Sequence, residues 1–255
     1  MSHGEDLKHK VALVTGSSRG IGAAIARELA RHGAKMAVHG RDTAAMTAVR
    51  EDIKRRGGRA IQVAADTTSF AEIEEMRQRI ERDLGPVDIL VANAGGSPVK
   101  PAPVELIDED GWRASVDANL TATFLTIKSV LPGMKERRSG CIVTMSSAAA
   151  RRPHPGSPVA YAAAKAGIEL LTQDVAMQAG PFGVRANCIA PETILTENNR
   201  DLIPAEIQRQ LVDAHPLRRL GTPEDVARAT VFLATAESAW ITGIVLDVAG
   251  GAVMA

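Results

Sequence analysis

Seven short apolar runs recur along this chain of 255 residues, each but the last followed by a longer segment. That alternation restricts the fold more than any other feature. The runs are VALV (11–14), KMAV (35–38), AIQV (60–63), VDILV (87–91), CIVTM (141–145), RANCIA (185–190) and IVLDV (244–248). They are almost continuously apolar, as a strand buried on both faces must be. The segments between them carry single apolar stripes at helical spacing. Ile21, Ile25 and Leu29 mark the first; Met46, Val49 and Ile53 the second; Ile73, Met76, Ile80 and Leu84 the third. Val116, Leu120, Phe124, Ile127 and Leu131 mark a fourth. The third is expected to start at a capping box, Ser69 to Glu72, and to stop at Gly85-Pro86. A fifth contains YAAAK (161–165) and ends at Gly180-Pro181, and a sixth opens with Thr222-Pro223, a cap followed by proline at the first helical position.

Such a pattern predicts an α/β fold: a doubly wound, Rossmann-type parallel sheet of about seven strands with helices on both faces. No repeat or low-complexity linker divides the chain. We expect a polar tail over residues 1–9 and a single domain over 10–255. The polar stretch 192–216, with Pro204 and Pro216, is a candidate mobile insertion at a substrate site. Thirty basic and thirty acidic residues cancel, which argues against a nucleic-acid footprint or a membrane-surface patch. No run of about 18 apolar residues is present, so no membrane span is expected. Cys141 and Cys188 lie inside apolar runs and read as buried thiols of a reducing compartment. The polar start MSHGEDLKHK carries no apolar signal region, and the expected location is cytoplasmic.

Directly after the first strand stands TGSSRGIG (15–22). Gly16 lets the chain turn off the strand, Gly20 lets backbone approach a phosphate, and Gly22 lets the helix pack close to the sheet. The helix that follows presents unpaired N–H groups and a positive dipole end to a pyrophosphate. A glycine pattern alone is weak evidence; its place between first strand and first helix strengthens it.

The chain has one tyrosine, Tyr161, and Lys165 follows it by four residues, so the two share a helix face. A free phenol, with a pKa of about 10, is a poor acid or base at neutral pH. A nearby ammonium favours the phenolate, so Lys165 is expected to pull Tyr161 down. A Ser/His/Asp hydrolase is a rival reading, but Ser147 has no flanking glycine of a nucleophile elbow. No His, Asp or Glu cluster has metal-ligand spacing, so no metal is expected.

TGSSRGIG, NAG (93–95), Asn119, Ser146-Ser147 and YAAAK together resemble the short-chain dehydrogenase/reductase family, including its 3-oxoacyl-[acyl-carrier-protein] reductase-like members. The match runs from about Lys10 to Gly251. The resemblance implies hydride transfer between a nicotinamide cofactor and a carbonyl or secondary alcohol. It implies a catalytic set of Asn119, Ser147, Tyr161 and Lys165. Tyr161 would move the proton, Ser147 would hydrogen-bond the substrate oxygen, and Lys165 would hold the nicotinamide ribose. Asn119 would break its helix and place a water linking Lys165 to solvent. Ser146 is expected to point away from the site, because side chains alternate along a strand. The same resemblance assigns Gly16, Ser18, Arg19, Gly20, Ile21, Gly22, Gly40, Arg41, Asp66, Thr67, Asn93, Ala94, Gly95, Pro191, Ile194 and Thr196 to the cofactor, with Tyr161 and Lys165. A catalytically silent dinucleotide sensor would be the alternative, and the intact Tyr161/Lys165 pair argues against it.

The sequence departs from the family where Pro191 is followed by Glu192 rather than glycine; this brings a carboxylate near the nicotinamide end. Cofactor choice is read from the end of the second strand, where NAD enzymes of this fold place an acid for the ribose 2′-hydroxyl. Gly40 stands there, Arg41 follows, and Arg19 lies in the glycine loop, which favours NADP with NAD as the alternative. Asp42 is expected to cap the next helix. Pocket walls are expected from 95–103, 150–160 and 192–216, where Lys100, Arg151, Arg152 and His154 are candidate contacts for an anionic substrate. Expected substrates are small-molecule ketones or alcohols: 3-oxoacyl thioesters, sugars and polyols, or steroids. Resemblance also implies a homotetramer; the broad apolar faces marked by Val116, Leu120, Phe124, Ile168, Leu171 and Val175 are either pairing surfaces for it or internal core.

Overall fold

In the computed structural model, residues 7–153, 156–197, 199–200 and 203–254 are described. Strands β1 (Val11–Val14), β2 (Lys35–His39), β3 (Ala60–Val63), β4 (Ile89–Ala92), β5 (Gly140–Met145), β6 (Val184–Pro191) and β7 (Val245–Val248) form one sheet. Its order is β3-β2-β1-β4-β5-β6-β7, and every pairing is parallel. β4 begins two residues later than expected. Asp88 engages Val11 beforehand: its carboxylate accepts the Val11 N–H at 2.9 Å and its own N–H donates to the Val11 carbonyl at 2.9 Å.

Side chains alternate across the sheet and fill two aliphatic layers. Ala12, Val14, Met36, Val38, Val91 and Val143 face helices α1 (Gly20–Arg31), α2 (Thr43–Arg55) and α9 (Pro223–Ala234). Val11, Leu13, Ala37, Leu90 and Ile142 face α3 (Phe70–Asp83), α5 (Ala122–Glu136) and α7 (Val159–Ala179). The expected stripes supply these layers: Ile25, Leu29, Met46, Val49, Ile53, Ile73, Met76 and Ile80 are all buried. Leu7, placed in the expected tail, is 2% exposed and its N–H donates to the His32 carbonyl.

The fourth helix is broken at Asn119, as expected: α4 (Glu109–Val116) passes through a π turn (Asp117–Thr121) into α5, and Asn119 inside the turn bonds to a neighbouring loop. Two local expectations are corrected. Only half of the capping box forms: Ser69 accepts the Glu72 N–H, while the Glu72 carboxylate turns to the Asp66 N–H at 2.7 Å. The polar 192–216 stretch holds a helix, α8 (Ala205–Ala214); a four-residue helix, α6 (Ala148–Arg151), also went unread after β5. The sixth expected helix is α9, where Asp225 accepts both the N–H and the hydroxyl of Thr222, at 2.9 and 3.1 Å. No helix among the described residues is long and apolar enough to cross a membrane.

Candidate active site

The sheet order reverses between β1 and β4, and open sheets of this kind bind their ligands in the crevice outside the carboxyl ends of the strands at such a switch point. The expected site residues gather there. Gly16 turns off β1 with a left-handed φ of 65°. Gly22 sits so close to this turn that a Cβ would meet the Gly16 carbonyl at 2.3 Å. No side chain caps α1, and no acid stands in its first turn. Its terminal N–H groups and positive dipole end therefore suit an anion, and the loop fits a dinucleotide pyrophosphate.

NAG has a role that sequence reasoning did not identify. The Asn93 amide donates to the carbonyls of Thr15 and Gly16 at 2.9 and 3.2 Å. Thr15 Oγ1 in turn accepts the N–H groups of Asn93 and Ala94, at 3.0 and 2.9 Å. The motif thus locks the glycine loop against the end of β4. Gly95 abuts Asn119, whose buried amide donates to the carbonyls of Gly96 (2.7 Å) and Ser115 (2.8 Å) and accepts the Gly96 N–H (3.1 Å).

Ser147 follows β5 with extended backbone and caps α6, accepting the Ala149 N–H at 3.2 Å. Ser146 faces the other way, as expected: its hydroxyl donates to the Lys165 carbonyl and to Glu169, at 3.1 and 2.7 Å. Tyr161 and Lys165 share a face of α7, with Nζ 5.5 Å from the ring centroid. Lys165 is 4% exposed, and Nζ donates to the Met145 carbonyl at 2.8 Å. Burial lowers its pKa to about 8. The expected depression of Tyr161 by Lys165 is not found. Burial raises the phenol above its ordinary 10, and the opposing pull comes from a side-chain hydrogen bond with Ser147.

At the opposite end of the crevice Gly40 is buried, and Arg41 is exposed. Asp42 caps α2 as expected, accepting the Ala45 N–H at 3.0 Å, and it also pairs with Arg19. Asp66 accepts the N–H and hydroxyl of Thr68 at 2.9 and 2.7 Å, which holds its carboxylate below the usual range; Thr67 lies half-buried between them. Ser18 and Ile21 are half-buried in the glycine loop. Pro191 closes β6, Ile194 is buried, and a Cβ on Gly20 would meet Thr196 at 3.4 Å, so this turn closes over the loop. Asn199, which the sequence did not flag, staples the turn: Oδ1 accepts the Thr196 N–H at 2.7 Å and Nδ2 donates to the Ile194 carbonyl at 2.8 Å.

Two expectations on charged residues change. Arg151 does not stand open to an anion, because Glu169 and Asp247 bind it at 3.0 and 3.2 Å. Lys100 and Arg152 are exposed, and His154 lies outside the described residues. The Glu192 carboxylate accepts the Thr193 N–H and lies 3.9 Å from His215 Nε2, at the other end of the 192–216 stretch. Among the described residues no group of His, Cys, Asp and Glu has the makings of a metal site.

A doubly wound sheet with a glycine loop at its switch point, beside a Ser/Tyr/Lys cluster, defines a dinucleotide-dependent oxidoreductase. A family model described as enoyl-(acyl carrier protein) reductase matches residues 16–253, and the chain belongs to this family of short-chain dehydrogenases/reductases. It is 39% identical to a cyclohexanol dehydrogenase of Rhodococcus sp. (strain TK6) over 260 aligned positions, covering 96% of each chain. Among solved structures it resembles a 3-oxoacyl-[acyl-carrier protein] reductase with bound NAD from Brucella melitensis, with a TM-score of 0.91 and 35% identity over 99% of this chain and 95% of that one. It also resembles a 7α-hydroxysteroid dehydrogenase complexed with NADH and 7-oxo glycochenodeoxycholic acid, with a TM-score of 0.93 and 34% identity over 98% and 97%. The protein is an oxidoreductase that works with a nicotinamide cofactor.

Proposed function

We propose that the protein interconverts a small aliphatic or acyl ketone and its secondary alcohol, with NADP(H) as cofactor. The observation that carries this reading is Tyr161, on the face of α7 that holds buried Lys165 one helical turn on, with Ser147 beside its phenol. The bound cofactor supplies or accepts the hydride. As the carbonyl is reduced, its π bond breaks and charge grows on oxygen, where the hydroxyls of Ser147 and Tyr161 donate. Burial keeps the phenol protonated at neutral pH, so Tyr161 holds a proton to give. Lys165 is mainly charged at pH 7 and stabilises the tyrosinate left behind. Asn119 holds the loop at Gly96 that runs past Lys165. Tyr161→Phe keeps the ring and removes the acid. Turnover is expected to fall at least about a hundredfold, with cofactor affinity retained; near wild-type turnover would refute the assignment.

NADP(H) is favoured because Arg41 is exposed beside the loop and Asp42 is committed to α2 and Arg19. Gly40 weighs less than it did in sequence, since a Cβ there would meet Ser18 Cβ at 2.9 Å and packing alone demands glycine. Arg41→Ala should therefore lower kcat/KM for NADPH about tenfold or more and leave NADH nearly unchanged. Equal or better wild-type efficiency with NADH would overturn the choice.

A homotetramer is the assembly proposed. Ile168 and Val175 are internal core. Phe124 (46% exposed), Leu170 (62%) and Met177 (75%) on α5 and α7, with Trp240 (100%) near β7, leave apolar surface that pairing with further copies would cover. Light scattering at micromolar concentration should give four chains; a monomer would contradict it.

A further inference from the structure

His39, the last residue of β2, is 3% exposed and takes no part in the chemistry proposed above. Its ring bridges two walls of the dinucleotide crevice. Nδ1 faces the Gly16 N–H at 3.0 Å, and Nε2 faces the Ala65 carbonyl, just after β3, at 3.0 Å. The backbone completes the joint: the Ser17 N–H donates to the His39 carbonyl at 2.7 Å, and the His39 N–H donates to Ser17 Oγ at 2.9 Å.

These partners decide the protonation state. An amide N–H offers only a proton, so Nδ1 must be bare; a carbonyl offers only lone pairs, so Nε2 must carry hydrogen. A second proton would sit on Nδ1 and confront the Gly16 N–H, donor against donor. Gly16 turns the chain from β1 into the amino end of α1, so displacing its N–H displaces the loop. The charged groups that face the ring are Arg41, after β2, and Asp66, after β3. From the glycine loop the ring's neighbour is the neutral Ser17, while Arg19 is paired with Asp42. Burial pushes His39 below its ordinary 6.5, against the pull of the Ala65 hydrogen bond.

We propose that His39 is a positioning residue for the cofactor: neutral, it holds the glycine loop in the shape that receives the pyrophosphate; protonated, it releases the loop and weakens binding. The proposal rests on the crevice being the cofactor site. If the bound protein takes no proton on His39, the Kd rises up to tenfold for each pH unit below the ring's pKa in the free protein. Above that pKa the His39 contribution is constant.

The test is the NADPH Kd, read by fluorescence from pH 5 to 8, in wild type, His39→Asn and His39→Leu. Asn Oδ1 occupies the position of Nδ1 and accepts the Gly16 N–H without titrating. His39→Asn should stay within about fivefold of wild type at pH 8 and lose the ring's share of the acid weakening; His39→Leu should bind at least about tenfold more weakly throughout. The cofactor's 2′-phosphate also titrates near pH 6, but equally in each protein, so the difference between variants isolates the ring. The same acid weakening in His39→Asn, or wild-type affinity in His39→Leu, overturns the proposal. Should His39→Leu not fold, the His39→Asn comparison stands, together with the wild-type ring titration by NMR, whose midpoint must fall when NADPH binds; an unmoved midpoint refutes it. Wild type that binds neither NADPH nor NADH at any pH takes down the cofactor reading as well, whereas binding with no His39-dependent pH effect takes down this proposal alone.

Discussion

An alanine at position 95 would put a Cβ 2.6 Å from Asn119 Oδ1 and 3.4 Å from both Asn119 Cγ and Lys165 Nζ. The first distance lies well inside ordinary contact, so either Asn119 or the loop must shift. Asn119 resists, being fully buried in the π turn and fixed by hydrogen bonds of 2.7, 2.8 and 3.1 Å. Overpacking of this kind costs about 1–3 kcal/mol, and each strained hydrogen bond adds about 1 kcal/mol. We therefore expect Gly95→Ala to destabilise the protein by about 2–3 kcal/mol, lowering Tm by roughly 4–12 °C at this chain length. Turnover should fall about tenfold to a hundredfold, because Asn119 and Lys165 share the displaced space. The assays are thermal denaturation and steady-state kinetics on Gly95→Ala, Asn119→Ala and the double variant. Removing the Asn119 amide removes the atom struck but not the strain of a side chain at a φ of 159°, so the alanine at 95 should cost less in the Asn119→Ala background without becoming neutral. Additive losses would refute the clash as the cause. A single variant with Tm within a degree of wild type and unchanged kcat would refute the whole argument.

The pH dependence of kcat/KM for NADPH should report Lys165, since that parameter follows ionisations of the cofactor-free enzyme. Burial depresses Lys165 from 10.5 to about 8, so the charge is present below about pH 8 and lost above it. Efficiency should decline toward tenfold per pH unit past that point, and Lys165→Arg, though impaired, should lose the alkaline limb; a wild-type profile flat to pH 10 would count against the depressed ammonium. Stability runs the other way: between about pH 8 and 10.5 the unfolded chain holds the extra proton, so this group makes folding more favourable as pH rises. Denaturant midpoints of wild type relative to Lys165→Met should show that slope, and an opposite sign would refute it.

Much of this protein was legible along the chain, because strands, helix stripes and turn glycines obey local rules. The seven runs became seven strands because strands apolar on both faces have no stable place except inside a sheet covered twice. TGSSRGIG, NAG, Ser147 and YAAAK were visible because each keeps its residues within a few positions, where one turn or one helix face brings them together. Partnerships between distant segments were not visible. Arg151 looked like a loop cation open to substrate, yet its ligands are Glu169 and Asp247, which lie 18 and 96 residues away. His39 gave no signal in KMAVH; only the sheet order sets it between Gly16 and Ala65. Lys165 and Tyr161 share a helix face by sequence, but the sign of the Tyr161 shift was decided by burial, which spacing does not reveal. Local periodicity encodes which face of an element is apolar. Charge state, hydrogen-bond partner and dielectric depend on what the other elements bring to that face, and those arrive only when the sheet assembles.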